Sequence, residues 1–196
     1  MVTYLGITIH YQGALNCQTQ YVNQILDQVE DKLRTEGIIS IKRSNDFNDE
    51  QEQKQAYQSI NSGMIPTSIA GNPFIYTPHS LVKEPILPSQ KRALHVNIHP
   101  GCETFSLIFY KNCDKEMWVL PYSFVKTQFA PSWVHVFICE LLSIVEAMIR
   151  WKGGKFNVND EGEYYYSKDI KKLDENTRYV DMLIGKVVNV LTSSKW

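Results

Sequence analysis

The sequence predicts a single α+β domain in which a mixed, mainly antiparallel sheet is packed by about three helices. Residues 1–42 have a strand-helix-strand pattern, residues 94–120 contain short strands separated by turn signals, and helical patterns follow at 131–152 and 174–191. A chain of 196 residues is long enough to form one ordinary core, and no repeat or linker divides it. The sequence therefore indicates one domain over 1–196.

The N-terminal region predicts a β-α-β unit. Residues 4–11 alternate between apolar and polar side chains, which is typical of a half-buried strand. From Gln18 to Glu36 the apolar residues recur at intervals of three and four, and Gly37 provides a helix end. Residues 38–42 return to a strand pattern. Two strands joined through a helix favour a parallel or mixed pair with a right-handed crossover.

Residues 44–92 predict an irregular segment within the domain. Ser44 to Gly63 is rich in Asn, Asp, Glu, Gln and Ser, which favours a solvated loop or a short polar helix. Between Met64 and Arg92 the prolines are too frequent for a regular element, and we expect this chain to wrap on the core. Long loops in compact domains are often functional, so the segment is a candidate binding surface.

Three strands are predicted at 94–99, 105–110 and 117–120, and the turn signals between them favour an antiparallel meander. An apolar helix follows Pro131, and its polar residues, including His135 and Cys139, fall on one narrow stripe. Such a helix is mostly buried, so we interpret His135 as a hydrogen-bonded core histidine.

The C-terminal part predicts a strand, a turn at 160–162, and a second strand that carries three tyrosines. A final amphipathic helix is predicted from Asp174, which is a plausible N-cap, to about Leu191.

Charge and cysteine usage limit the possible partners and compartment. The formal net charge of -1 provides no field to hold a polyanion, so we expect neither nucleic-acid nor membrane binding. Four cysteines occur without a Cys-x-x-Cys pair, and the N-terminus does not resemble a signal peptide, which favours the cytoplasm. The apolar run at 133–149 contains two glutamates and His135, so no transmembrane segment is predicted.

The stretch HVNIHPGCE has the highest density of potential metal ligands in the chain. Apolar residues alternate with His95 and His99, and Pro100 ends the run, so the stretch predicts a strand. Four residues along a strand span roughly 13 Å, which is too far for both histidines to bind one zinc ion. The turn could still bring Cys102 or Glu103 back to His99, which leaves His99 and Glu103 as candidates for acid–base or metal chemistry.

The turn at Asp160, Glu161 and Glu163 is the second cluster. Neighbouring carboxylates could hold a divalent cation or act as acid and base, although the EF-hand pattern is absent and a solvated turn is the simpler reading. Tyr164 and Tyr166 follow, and together with Glu161 and Glu163 they form a candidate protein-binding surface, because aromatic residues supply much of the energy of interfaces.

These observations favour a non-enzymatic cytosolic protein-binding module of immunity- or antitoxin-like type, which binds another protein or itself and needs no cofactor. No phosphate-binding loop, nucleophile elbow or kinase signature occurs. The alternative is a hydrolase with acid–base or divalent-metal chemistry. Its catalytic candidates are His99, Glu103 and Asp160, with His10 and the rest of the 160–163 turn nearby.

Overall fold

The fold consists of one six-stranded sheet and five helices, as described for residues 7–62 and 86–193 by a computed structural model. The α+β class is therefore confirmed. In chain order the elements are β1 (Thr8–Asn16), α1 (Thr19–Thr35), β2 (Ile41–Ser44), α2 (Glu50–Ser62), β3 (Pro88–Val96), β4 (Phe105–Asn112), β5 (Met117–Lys126), α3 (Ser132–Trp151), β6 (Lys155–Asp160), α4 (Tyr164–Ser167) and α5 (Ile170–Ser193).

The strand order is β2-β3-β4-β5-β1-β6, and every neighbouring pair is antiparallel. The predicted meander of three strands is confirmed in β3, β4 and β5. The strand-helix-strand order of the N-terminus is also confirmed, but the predicted pairing of its two strands is wrong. Both edges of β1 are occupied by β5 and β6, so α1 carries the chain past three strands to β2.

The principal core lies between one face of the sheet and helices α1 and α3. The predicted periodicity of α1 is confirmed, because its buried residues are spaced by three and four. Burying an aliphatic side chain of this size contributes about 1.5–3 kcal/mol, so α1 is held mainly by its apolar face. The buried residues of that face are Val22, Ile25, Leu26, Val29 and Leu33.

Helix α3 is the central core helix. Among the described residues, α3 is the helix whose length of 20 residues and hydropathy would allow it to cross a membrane. Half of its most apolar 18-residue stretch, however, is buried inside the fold. A core helix meets the same two criteria, so this is weak evidence for a membrane segment. Its buried positions include His135 and Cys139, as well as aliphatic residues.

The segment 44–92 is more regular than predicted wherever the structure describes it. Helix α2 occupies Glu50–Ser62, so of the two structures predicted for this stretch, a solvated loop or a short polar helix, the helix is present. Strand β3 begins at Pro88. The side chain of Asp49 accepts the N–H of Glu52, and Glu52 in turn accepts the N–H of Asn48, so both groups cap the helix start. Residues 63–85, with most of the prolines, lie outside the described residues.

Two predictions for the C-terminal part are wrong. Tyr164–Ser167 forms one helical turn instead of a strand, because the backbone enters it through Glu163 in the left-handed conformation (φ 60°). Helix α5 begins before Asp174, since Asp169 accepts the N–H groups of Lys171 and Lys172 and acts as the cap. Asp174 instead accepts a hydrogen bond of 2.5 Å from the hydroxyl of Ser132 in α3.

Candidate functional site

The second face of the sheet carries exposed aromatic side chains near β1 and β5. His10 lies on the opposite side of β1 from the buried Ile9 and Tyr11. Its ring stacks on Tyr122 with a centroid distance of 5.5 Å and lies 6.2 Å from Phe124. Tyr122 is 38% exposed and Phe124 is 49% exposed. We call His10, Tyr122 and Phe124 the aromatic face.

A β-bulge in β5 turns these aromatic residues outward. Tyr11 pairs with Ser123 and Gly13 pairs with Leu120, so Pro121 and Tyr122 together lie opposite one residue of β1. The extra residue shifts the alternation, and the side chains that would otherwise face the core point to the second face. Proline has no N–H to donate, so a bulge is one of the few places where a strand accepts it.

Polar contacts fix the ring of His10 from both sides. Its Nε2 lies 3.2 Å from Oε1 of Glu161, and its Nδ1 forms a short contact with the hydroxyl of Tyr122. The second carboxylate oxygen of Glu161 accepts the N–H of Thr8 at 3.0 Å. Because both ring nitrogens have partners, this histidine is held in one orientation.

A cavity of about 240 Å³ adjoins the aromatic face. Gln12, Asn157 and Asn159 line it beside His10 and Tyr122. The side-chain amides offer both donors and acceptors, so the cavity suits a polar group of a partner. Aromatic rings beside a polar rim form the usual composition of an interface.

A second histidine–carboxylate contact lies under the sheet, between α3 and the end of β6. The Nδ1 of His135 lies 2.8 Å from the hydroxyl oxygen of Thr127, and its Nε2 lies 2.9 Å from Oδ1 of Asp160. The Sγ of Cys139, one helical turn after His135, lies 3.9 Å from Oδ2 of Asp160. We call Thr127, His135, Cys139 and Asp160 the buried cluster. The prediction that His135 is a hydrogen-bonded core histidine is confirmed.

The surroundings of Asp160 keep it ionised. Burial acts to raise the pKa of its carboxyl, but His135 and the N–H groups of Tyr165 and Gly162 outweigh burial and hold the pKa below the usual value. These N–H groups donate to Asp160 at 2.8 and 2.7 Å. Gly162 also allows the backbone of the turn to lie close to the side chains of His135 and Leu173, because a Cβ there would lie 2.9 Å from the ring of His135 and 2.7 Å from Leu173.

The buried cluster resembles a catalytic triad in its connectivity but cannot reach a substrate as it stands. The side chains of His135 and Asp160 are only 3% and 2% exposed. Burial, followed by the charge of Asp160, raises the pKa of the Cys139 thiol well above its usual range. The arrangement can therefore stabilise the fold or hold an ion, and it offers no accessible nucleophile.

The other three thiols are also poor nucleophiles. Burial raises the pKa of both Cys17 and Cys102 to about 11, and a hydrogen bond with Asp114 raises the pKa of Cys113. All four cysteines of the chain lie in the described residues, and none forms a disulfide. Since a thiolate is the reactive form, the structure gives no support to cysteine catalysis at neutral pH.

The predicted catalytic residues His99 and Glu103 belong to the turn between β3 and β4. His99 lies beyond the end of β3, and its Nδ1 accepts the N–H of Gly101 at 2.9 Å. Glu103 is exposed, and one of its carboxylate oxygens accepts the N–H of Lys126 at 3.1 Å. Both side chains thus support the turn. Within 7–62 and 86–193, the group of three potential metal ligands that lie within 4.8 Å of one another is His135, Cys139 and Asp160, and it includes neither of these residues.

The predicted binding residues of the 161–166 region have different environments. Glu161 belongs to the contacts that hold His10, whereas Glu163 is exposed and pairs with Lys172. Tyr166 is 70% exposed, and Tyr164 is partly buried against the principal core. Tyr122 and Phe124 are not among the residues predicted from the sequence to form a site. Their alternation with Ser123 after Pro121 was the available signal.

Comparison with models of known protein families, with curated proteins and with solved structures finds no match for this chain. The geometry of the described residues is therefore the basis for proposing a function.

Proposed function

We propose that this chain is a non-enzymatic protein-binding module of immunity- or antitoxin-like type and that it binds its partner through the aromatic face. The observation that carries the proposal is the pair of exposed rings, Tyr122 and Phe124, that a β-bulge displays around the doubly hydrogen-bonded His10. Aromatic side chains supply large contact areas and are enriched among the residues that dominate binding energy.

Preorganisation strengthens the proposal. The rings project from the middle of a sheet, and both nitrogens of His10 are engaged, so binding immobilises few additional groups. Less ordering on association leaves more of the contact energy as affinity. The amides of Asn157 and Asn159 extend the same surface with a polar rim.

We place the protein in the cytoplasm as part of this proposal. The four cysteines are all free thiols, which is usual for proteins kept in a reducing compartment. A soluble partner in the same compartment, or a second copy of the chain, would then be the binding target.

Affinity capture with matched variants tests the proposal. Wild type, the double variant Tyr122→Ser/Phe124→Ser and the control Trp151→Ser would be used as baits in native lysate, with light scattering of each purified bait. Trp151 is 82% exposed at the end of α3, away from the aromatic face. We expect a stoichiometric partner, or a dimer mass, with wild type and the control but not with the double variant. Equal capture by all three baits would reject the aromatic face as the binding surface.

A hydrolase is the second candidate, and one observation favours it. His10 and Glu161 form a histidine–carboxylate pair beside the cavity of about 240 Å³. If this pair is catalytic, hydrolysis of an activated ester by the purified protein must depend on both residues. Loss of that activity in His10→Gln and in Glu161→Gln, with retention in His99→Gln, would support a hydrolase at this cavity. Activity that is independent of His10 and Glu161 would exclude it.

A further inference from the structure

We propose that His135, Cys139 and Asp160 form a binding site for one zinc-class divalent ion inside the protein. Two of the three ligands come from α3, where a spacing of four residues places both on one face of the helix. The third comes from the end of β6. One ligand atom from each of these residues lies within 4.8 Å of the other two.

The distances between the ligand atoms are close to those of a coordinated ion. Bond lengths of about 2.0–2.3 Å around a tetrahedral zinc ion place neighbouring ligand atoms about 3.3–3.6 Å apart. Here Nε2 of His135 lies 2.9 Å from Oδ1 of Asp160, and Sγ of Cys139 lies 3.9 Å from Oδ2. These two contacts lie on either side of that range, and one ligand atom from each residue lies within 4.8 Å of the other two, so side-chain rotations would bring the three residues to coordination distance.

The Nε2 atom of His135 is the second observation that points to a ligand. It is buried and has no hydrogen bond of normal geometry, although Oδ1 of Asp160 lies 2.9 Å away. Buried polar side-chain atoms normally have such a partner. An ion between the histidine, the thiol and the carboxylate would use this nitrogen.

Thr127 provides the outer support that metal-bound histidines usually have. Its hydroxyl oxygen lies 2.8 Å from Nδ1 of His135 and 3.4 Å from the carbonyl oxygen of Ile7. In the metal-bound form the ring proton lies on Nδ1, so the histidine donates to Thr127, Thr127 donates to Ile7, and the lone pair of Nε2 faces the ion. Such a partner fixes the tautomer and the orientation of the ring.

The ligand set and the burial define the ion and its role. Imidazole, thiolate and carboxylate together favour zinc over magnesium or calcium, which prefer oxygen ligands. Binding would release one proton, from the Cys139 thiol. Because the site is closed to solvent, the ion would stabilise the junction of α3, β6 and α4, and water or the second oxygen of Asp160 would complete the coordination.

Cobalt substitution tests the site. The full chain, made without a metal-binding tag, would be unfolded with a chelator and refolded with Co²⁺. The same would be done with the variant Cys17→Ser/Cys102→Ser/Cys113→Ser, in which Cys139 is the remaining thiol. We expect about one bound ion and thiolate-to-cobalt charge-transfer absorption in both proteins. Refolded protein that binds no cobalt, or that lacks this absorption, would overturn the proposal.

The outer support gives a second readout. Thr127→Val retains the three ligands, so we expect the charge-transfer absorption to persist while the affinity for Co²⁺ falls about 10-fold or more. Ser132→Ala, which removes a hydroxyl at the start of α3, the helix that carries His135 and Cys139, is the matched control and should retain the affinity. Equal affinities in the two variants would reject Thr127 as a support for metal binding and with it the proposed orientation of His135.

Discussion

Asp160 and Glu161 are adjacent carboxylates that contact different histidines on opposite faces of the sheet. Asp160 reaches His135 in the core at 2.9 Å, where the two side chains are 2% and 3% exposed. Glu161 reaches His10 on the second face at 3.2 Å, where the side chains are 16% and 19% exposed. Successive side chains of a strand point to opposite faces, so one turn at the end of β6 supplies both regions.

The difference between the two pairs shows how burial separates their roles. Removing a buried hydrogen-bonding group leaves its former partners unsatisfied and costs about 1–3 kcal/mol for each of them, whereas an accessible pair contributes little to stability. The buried cluster therefore supports the fold and offers a metal site. The aromatic face has less effect on the fold, so its exposed rings are available for binding.

The largest expected effect is that of Asp160→Ala. This substitution removes a buried carboxylate that lies against His135 and accepts two backbone N–H groups, and leaving these groups unsatisfied should lower the free energy of unfolding by about 3–5 kcal/mol. The matched control Glu161→Ala should lose about 1 kcal/mol or less. Urea unfolding monitored by circular dichroism, with a chelator present, measures both. A larger loss of unfolding free energy in Glu161→Ala than in Asp160→Ala would show that the surface pair, and not the buried cluster, supports the fold.

The second-largest expected loss of stability is that of Gly162→Ala, which adds a methyl group against His135 and Leu173. Because both contacts would be shorter than 3.0 Å and lie inside the fold, we expect a loss of about 2–3 kcal/mol. Gly185→Ala in α5 is the control, since a Cβ there meets nothing within 4 Å. The control should gain about 0.5–1 kcal/mol, because alanine is the better helix former. Thermal unfolding of both variants checks the opposite signs.

A smaller contrast is expected for the two hydroxyl groups that contact Nδ1 of a histidine. Thr127→Val leaves a buried nitrogen of His135 without its partner, and we expect a loss of about 1–2 kcal/mol. Tyr122→Phe removes the corresponding group from His10 at the surface, where water replaces it, and should lose about 0.5 kcal/mol or less. Equal losses in urea unfolding would show that the two histidines do not differ as described.

For His10→Ala we expect a small effect on stability and a larger effect on binding. The side chain is partly exposed, so we expect a change of about 1 kcal/mol or less in the free energy of unfolding. The stacking of Tyr122 would be lost, and we expect partner binding to weaken at least 10-fold, as for a residue that orders a binding hot spot. Calorimetric titration with the captured partner measures the second effect. Unchanged affinity would limit the binding surface to Tyr122 and Phe124.

Periodicity predicted the elements whose environment is uniform along their length. The apolar residues of α1 and the run in α3 recur at helical intervals, and β4 is a short apolar run that begins at Phe105 between two turns. The strand order could not be predicted, because the pattern of β1 does not reveal that β5 and β6 occupy its edges. Strand β5 was predicted to end at Leu120, because Pro121 is a strand-breaking residue. In the structure the bulge at Pro121 and Tyr122 accommodates the proline, and the strand continues to Lys126.

The candidate sites depend on contacts between distant parts of the chain, which local patterns cannot show. The spacing of His135 and Cys139 placed both on one stripe of α3, but their third partner, Asp160, lies 21 residues after Cys139. The prediction instead grouped Asp160 with His99 and Glu103 by residue type. Similarly, His10 and Tyr122 are 112 residues apart in sequence, and only the antiparallel pairing of β1 and β5 brings them together.

The central claim is that the aromatic face binds a protein partner, and site-specific photocrosslinking tests it most directly. A photoreactive amino acid would replace Phe124 in one protein and Trp151 in another, and both would be irradiated in native lysate. We predict one discrete adduct from position 124, which excess unlabelled wild type abolishes and excess Tyr122→Ser does not. No discrete adduct from position 124, or the same adduct from position 151, would contradict the claim.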